Sequence, residues 1–556
     1  MILFFITSFL LIVVSSENNA PIVQTPLGLI EGNIEKSSNG RNFYSFRGIP
    51  FAKPPVGKYR FEPSVPNKPW SGIWKANNSY VCLQYNHFNC PGRDKVEGEE
   101  DCLYLNVFTP ILKKNANLDV VVYIHGGAFM FNSGNVQGPK KLMDKDVVQV
   151  NINYRLGPFG FLSTEDDLVP GNNGIKDQIL AMKWVKDNIE LFGGNSDSIT
   201  IFGMSAGGAS VELHYLIPES KGLFHKGVSQ SGVSLNPWVI MENPLEQANK
   251  LGAAVGCSTK NTEKLVKCLK KRPGRQIVSA ISHFQPWLYN PFSPFGVVVD
   301  SWSKNPLLRD HPYNLLKNKQ VYDVPWISSF TSEEGLYPAS EFYPEEYLQE
   351  LDSKWNDIIP HILHYNFTIN HNELDKISSQ IKTYYLKDKK VSKTTYSKLV
   401  KLIGDRLFYF DIEKGVKLHS AAVKSDVFSY KFSHRGAYSA SDFISGSRDN
   451  LGASHADDTA YIFHTFDTNS TPEDRAVSDF LMDTCTAFMK TGKPMSKIQW
   501  HPVSKNLADP LNVLHIENSN SIKMETLQDI SNQQFWNLLP FAENEKLLAK
   551  ENKDEL

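Results

Sequence analysis

The chain has 556 residues, 41% of them hydrophobic and 12% aromatic, with a formal net charge of −2. That composition supports a large buried core and excludes a disordered or collagen-like polymer. Near-neutral charge removes any overall electrostatic case for nucleic acid or an anionic membrane as a partner.

Residues 2–14 form an apolar run followed by small residues. The run is too short to span a bilayer. It reads as a secretory signal peptide over residues 1–16, although no Lys or Arg precedes it. Sequons begin at Asn77, Asn366 and Asn469, each usable where exposed. Cys82, Cys90 and Cys102 lie together, and spacing alone does not choose the pair among them. "VVVYIHGG" (120–127) reads as a buried strand entering a glycine turn, and "VVQVNINYR" (147–155) as a second strand. Helical apolar spacing over 177–194 ends at glycines, as a capped helix should. A short β-branched strand follows at 198–203, and a helix starts at Ala206. This alternation predicts an α/β fold with a mostly parallel sheet covered on both faces.

Cys257 and Cys268 are close enough to close a small loop, and the basic run 267–275 reads as solvated. Residues 327–338 give an apolar strand followed by Glu333, Glu334 and Gly335. Helical spacing from about 340 to 400 reads as an insertion over the sheet. His455 sits in a glycine-led loop before another apolar run, and Cys485 in a helical segment reads as a buried free thiol. No repeat or linker divides the chain, so residues 17–550 are expected to form a single domain. No later segment is long and apolar enough to cross a membrane. The tail 551–556 ends in Lys-Asp-Glu-Leu, an address read by the KDEL receptor that returns proteins to the endoplasmic reticulum lumen. Six cysteines agree with that oxidising compartment.

Gly203, Ser205 and Gly207 satisfy G-x-S-x-G, a pattern that is weak alone. A serine hydroxyl is a poor nucleophile near neutral pH. It needs a base, an orienting carboxylate, and donors for the oxyanion formed on attack. A strand–turn–helix context would put Ser205 on a sharp turn, with the N–H of Ala206 aimed at the oxyanion. Gly126 and Gly127, also directly after a strand, offer further donors. Downstream, Glu333 or Glu334 and then His455 appear in the order acid, histidine that this mechanism requires.

Long stretches now carry a resemblance. "FRGIPFAKPPVGKYRF" (46–61), "EDCLYLNVFTP" (100–110), "GGNSDSITIFGMSAGG" (193–208) and "SQSG" (229–232) resemble the type-B carboxylesterases. That family includes cholinesterases, liver carboxylesterases, insect esterases and neuroligins, and the likeness runs from about residue 22 to 540. It implies an α/β-hydrolase fold acting on small-molecule carboxylic esters without metal or organic cofactor. It further implies Ser205 as nucleophile, Glu334 as acid and His455 as base, with an oxyanion hole at Gly126, Gly127 and Ala206. The same resemblance implies disulfides Cys82–Cys102 and Cys257–Cys268, leaving Cys90 unpaired. Ion pairs Arg47–Glu100 and Arg155–Asp177, and Ser231 beside the triad carboxylate, are implied as well. A side chain added at Gly126 or Gly127 is expected to suppress turnover with the fold largely intact.

Departures from the family pattern narrow the substrate. Cholinesterases carry a tryptophan in the first disulfide loop and a glutamate before the nucleophile. Here residues 82–102 contain no tryptophan, and Met204 holds the glutamate position. Cation–π and Coulomb contributions to a choline head are both missing. Juvenile hormone esterases usually have glutamine where Met204 stands. Met204 and Trp238 are expected to wall an apolar pocket, so the reading is a serine carboxylesterase for neutral, apolar esters. A juvenile hormone esterase-like specialist is the alternative. A neuroligin-like binding protein is the alternative of another class, disfavoured because the triad is retained.

Overall fold

The computed structural model describes residues 20–88, 94–465, 471–495, 498–544 and 548. The expected signal peptide, Cys90, Asn469 and the tail 551–556 lie outside these residues. Eleven strands form the principal sheet. In chain order they are β1 (Asn33–Lys36), β2 (Asn42–Pro50), β3 (Tyr104–Thr109), β4 (Leu118–Ile124), β5 (Val147–Ile152), β6 (Gly194–Met204), β7 (Lys226–Gln230), β8 (Trp326–Thr331), β9 (Val427–Phe432), β10 (Leu511–Asn518) and β11 (Ser521–Leu527). Their spatial order is β11-β10-β9-β8-β7-β6-β4-β5-β3-β2-β1. The block from β10 to β5 is parallel, and both margins are antiparallel.

The sequence explains the layering. On β4, Val120, Val122 and Ile124 enter one hydrophobic core while Val121 and Tyr123 enter the other. Successive side chains of a strand point to opposite faces, so a continuous apolar run is what a sheet covered on both sides demands. Ile201 and Phe202 on β6 divide in the same way. Helix α1 (Asn173–Asn188) ends before the expected position, because a 3-10 turn, Ile189–Phe192, takes over its last residues. Gly193 at φ +89° then turns the chain into β6. Helix α2 (Ala206–Leu216) follows β6 directly. The segment beyond residue 340 is helical as expected, with helices at Glu345–Ser353, Trp355–Ile362, Leu374–Leu386 and Tyr396–Gly404. Near the chain's end come the short α3 (Ala440–Ser445) and the long α4 (Pro472–Thr491). Among the described residues no helix is long and apolar enough to cross a membrane.

Disulfides join Cys82 to Cys102 and Cys257 to Cys268, and Cys485 is a buried free thiol. Arg155 and Asp177 pair through two buried contacts of 2.7 Å. The other expected ion pair is wrong. Arg47 meets Glu35, at 3.1 to 3.2 Å, and Glu100 is held by Arg60 instead. Arg47 lies within a break in the β2–β3 register between Phe46 and Ile49, and its side chain turns to Glu35 on β1. Arg60 is buried and needs acceptors on every side. It also donates to the carbonyls of Leu269 (3.0 Å) and Arg272 (2.6 Å), so it ties the two disulfide loops together.

Candidate active site

The carboxyl ends of β4, β6, β8 and β9 share one edge of the sheet, where open α/β sheets place their ligands. At the end of β6, Ser205 adopts φ +59°, ψ −123°, outside the regions an ordinary residue prefers. Its N–H donates to Gln230 O at 2.7 Å, and its carbonyl accepts from Ala209 N at 2.9 Å. The turn leaves no room for side chains around it. A Cβ on Gly203 would lie 2.2 Å from Gly207 O, and one on Gly207 would lie 2.0 Å from Ile124 O. Close approach of strand, turn and helix is what fixes the serine.

The turn after β4 reaches the same point. A Cβ on Gly126 would lie 2.4 Å from Met204 O and 3.0 Å from Ser205 Cβ. At Gly127, φ is +107° and a Cβ would lie 2.1 Å from Phe131 O. The expectation that side chains here spare the fold is therefore corrected: both would overlap main-chain carbonyls. Gly127 and Ala128 border the cavity above Ser205, and Ala206 opens α2, whose first-turn N–H groups have no partner within the helix. His125 is buried, and burial lowers its imidazole to about 4, so it stands neutral, with Nδ1–H donating to Gly126 O at 2.8 Å.

Beyond β8 the chain offers two glutamates, and the fold separates them. Glu333 bridges Ser454 in parallel fashion, its N–H donating to Ala453 O at 3.0 Å. That pairing zips the acid turn onto the histidine loop. Glu334 then faces inward, fully buried, with Oε2 2.5 Å from His455 Nδ1. Its Oε1 accepts from Ser231 Oγ at 2.6 Å and from Thr331 N at 2.7 Å. Ser231 thus stands where the resemblance put it. Glu333 faces a separate pocket with Lys401 and Lys431, and burial pushes its carboxyl up to about 7.

Ser205 and His455 border one cavity of about 190 Å³. Its walls are mainly apolar and include Phe88, Phe131, Met204, Tyr337 and Ile444. Met204 directly precedes Ser205 on this wall. Trp238 is not among the residues that border this cavity: its ring is 6.0 Å from Phe408, which in turn lies 4.6 Å from His455. The indole N–H is committed to Leu407 O at 2.9 Å, which holds the ring behind Phe408. Of the sequons, Asn77 is exposed and Asn366 half-buried.

Several residues escaped the sequence reading. Tyr337 stacks on His455 with centroids 5.3 Å apart, and only its position in "EGLYP" signals it. Asp458 is fully buried and accepts from Tyr430 OH (2.8 Å) and Ser329 Oγ (3.0 Å). Burial pushes its carboxyl up to about 6. Through Tyr430 it connects to Gln230, whose carbonyl holds the Ser205 N–H, and Thr459 donates to the same glutamine at 2.8 Å. The tandem acids after His455 were the available signal for this network.

A model of the carboxylesterase family matches residues 19–536. Venom carboxylesterase-6 of Apis mellifera is 43% identical over 534 residues, covering 95% of this chain and 96% of that protein. A carboxylic ester hydrolase of Bombus ignitus is 41% identical over 532 residues, covering 94% and 95%. Among solved structures, the juvenile hormone esterase from Manduca sexta, with OTFP covalently attached, matches with a TM-score of 0.81. It is 26% identical and covers 93% of this chain and 98% of its own.

Proposed function

Because the chain belongs to the carboxylesterase family and is a carboxylic ester hydrolase of the α/β-hydrolase fold, we propose that its chemistry is carried by Ser205, His455 and Glu334. The observation that carries this reading is the 2.5 Å contact between Glu334 and His455, on the cavity that Ser205 also borders. His455 Nε2 takes the Ser205 proton as Oγ attacks the ester carbonyl, and the N–H groups of Gly126, Gly127 and Ala206 hold the oxyanion. Glu334 keeps Nδ1 protonated and stabilises the imidazolium, which protonates the departing alcohol. Water then repeats the sequence on the acyl-enzyme.

The apolar walls and the neutral Met204 support neutral esters with short to medium acyl groups over cationic alcohols. Juvenile hormone esterase-like specialisation is the second reading, favoured by the match to the Manduca sexta enzyme. The deciding test uses p-nitrophenyl butyrate, a juvenile hormone analogue and a choline ester on wild type and Ser205→Ala. Wild type should hydrolyse the first and be labelled by an organophosphonate at Ser205. The variant should lose on the order of 10⁶ in kcat while keeping its melting temperature. A wild type that is neither active on any ester nor labelled would overturn the reading.

Two disulfides fit a protein of the secretory pathway. Within it, the Lys-Asp-Glu-Leu tail supports retention in the endoplasmic reticulum lumen through the KDEL receptor. Glycosylation at the exposed Asn77 fits the same route. Deleting residues 553–556 should shift the protein from cells to medium. Equal secretion with and without the tail would count against retention.

A further inference from the structure

Asp457 stands two residues after His455, 2% exposed, and takes no part in the reaction described above. The cavity is bordered on this side by Ala440, Ile444, His455 and Ala456, with Asp457 behind them. Its Oδ2 accepts from Ser454 N at 2.8 Å and from Ser439 Oγ at 2.7 Å, and its Oδ1 accepts from Ala440 N at 2.8 Å. Ser454 directly precedes the base. Ser439 is the N-cap of α3, and Ala440 is that helix's first residue. A single buried carboxylate therefore joins the histidine loop to the apolar wall beside it.

That wall is also held from its own side, by Ile444 packed on the main core and by Phe443 edge-on to Phe88 at 6.0 Å, but Asp457 is its tie to the histidine loop. Helix α3 is six residues long, ends at Gly446 in the left-handed region, and carries Phe443 73% exposed. On its outer side Arg435 donates to Asp442 at 2.6 Å. A carboxylate this buried is costly unless donors surround it. Burial pushes the Asp457 carboxyl up to about 7 in spite of them, so the site is maintained against a desolvation penalty.

We propose that Asp457 is a positioning residue that sets substrate size, by fixing the distance between the α3 wall and His455. The neutral ester whose apolar group packs against Ala440 and Ile444 is thereby limited in bulk. This rests on the reading of Ser205 and His455 as the reacting pair. Asparagine at 457 keeps the volume but offers one oxygen to three donors. If that oxygen serves Ser454 N–H, its amide NH₂ faces Ala440 N–H, two donors with no acceptor between them. The Ser439 hydroxyl can rotate, but the main-chain N–H of Ala440 cannot. The first turn of helix α3 loses its tie to the histidine loop, while the rest of the helix and the Ser454 contact beside the base are kept.

The test compares acetyl, butyryl and bulky branched-acyl p-nitrophenyl esters on wild type, Asp457→Asn and Ser439→Ala. In Asp457→Asn, kcat on the acetyl ester should stay near wild type, and KM for the bulky ester should fall. The bulky-to-acetyl ratio of kcat/KM should rise about tenfold, the scale of one lost hydrogen bond to a charged group. Ser439→Ala should move the ratio the same way by less, and serves if Asp457→Asn does not fold. An unchanged ratio in the folded variants, or an equal loss of kcat on every ester, overturns the proposal. Organophosphonate labelling separates the two readings: an unlabelled wild type refutes the reacting pair, whereas labelling with unchanged selectivity refutes only the role of Asp457.

Discussion

Ser205 takes its turn from the strand and helix that adjoin it in the chain, with its N–H fastened to Gln230 O, whereas Glu334 and His455 come together across 121 residues. The serine's geometry is written in Gly203, Gly207 and the strand and helix on either side of it. The Glu334–His455 pair owes its geometry to a two-strand bridge between Glu333 and Ser454 and to anchors on Ser231 and Thr331. One half of the site is thus a property of a local turn, and the other is a property of the sheet edge. The first should break as a fold and the second as a reaction.

Glu334→Gln tests the second half and should have the largest effect of three variants that leave Ser205 itself in place. Thr331 N–H and the Ser231 hydroxyl already donate to Oε1, so the glutamine oxygen will settle there. Its NH₂ then faces His455 Nδ1, which must accept, leaving Nε2 protonated and useless as a base. We expect kcat to fall by about 10⁴, the cost of a reversed tautomer, with the melting temperature little changed. Loss of folding instead would show that the pair is structural.

Gly207→Ala tests the first half. A Cβ there would sit 2.0 Å from the carbonyl of Ile124, main chain that cannot turn aside. Denaturant unfolding should show a loss of roughly 3 kcal/mol or more. An unaltered midpoint would mean that the elbow is looser than its packing indicates.

Asp458 links the halves, and its effect should be the smallest. Its carboxyl is raised from 3.8 to about 6 by burial, so the folded state binds a proton more tightly than the unfolded state. Its contribution to stability is accordingly greatest below pH 4 and is lost as pH rises toward 6 and above. Both hydroxyls that donate to Oδ2 are served equally by an amide oxygen. Asp458→Asn should therefore flatten the fall in melting temperature between pH 4 and 6. A slope identical to wild type would show that Asp458 does not titrate in that window.

Legibility in the sequence followed the same division. The strand–turn–helix at Ser205 was readable because each part has a local signature: a β-branched run, small residues at the turn, helical spacing after it. The resemblance also placed Ser231, inside a matched stretch, and both disulfide pairs correctly. Arg47 and Arg60 show where this stops. Both lie within one matched stretch, and pattern assigned Glu100 to the wrong one because a strand break decides which side chain points toward it. The depth of Trp238 was equally illegible: its place behind Phe408 depends on a carbonyl at Leu407.

What the sequence by itself determined is the chemistry available and the order in which it arrives: a serine on a tight turn, an acid, a histidine, and glycines able to approach them. Those depend on backbone geometry and side-chain type over a few residues. The tertiary structure alone decided that Asp457 and not Asp458 clasps the wall of the cavity, and that Arg60 and not Arg47 braces the two disulfide loops. Each is a choice between neighbouring or similar side chains. Such choices turn on which face of a strand or loop is presented to a partner more than 15 residues away, and no local pattern carries that information.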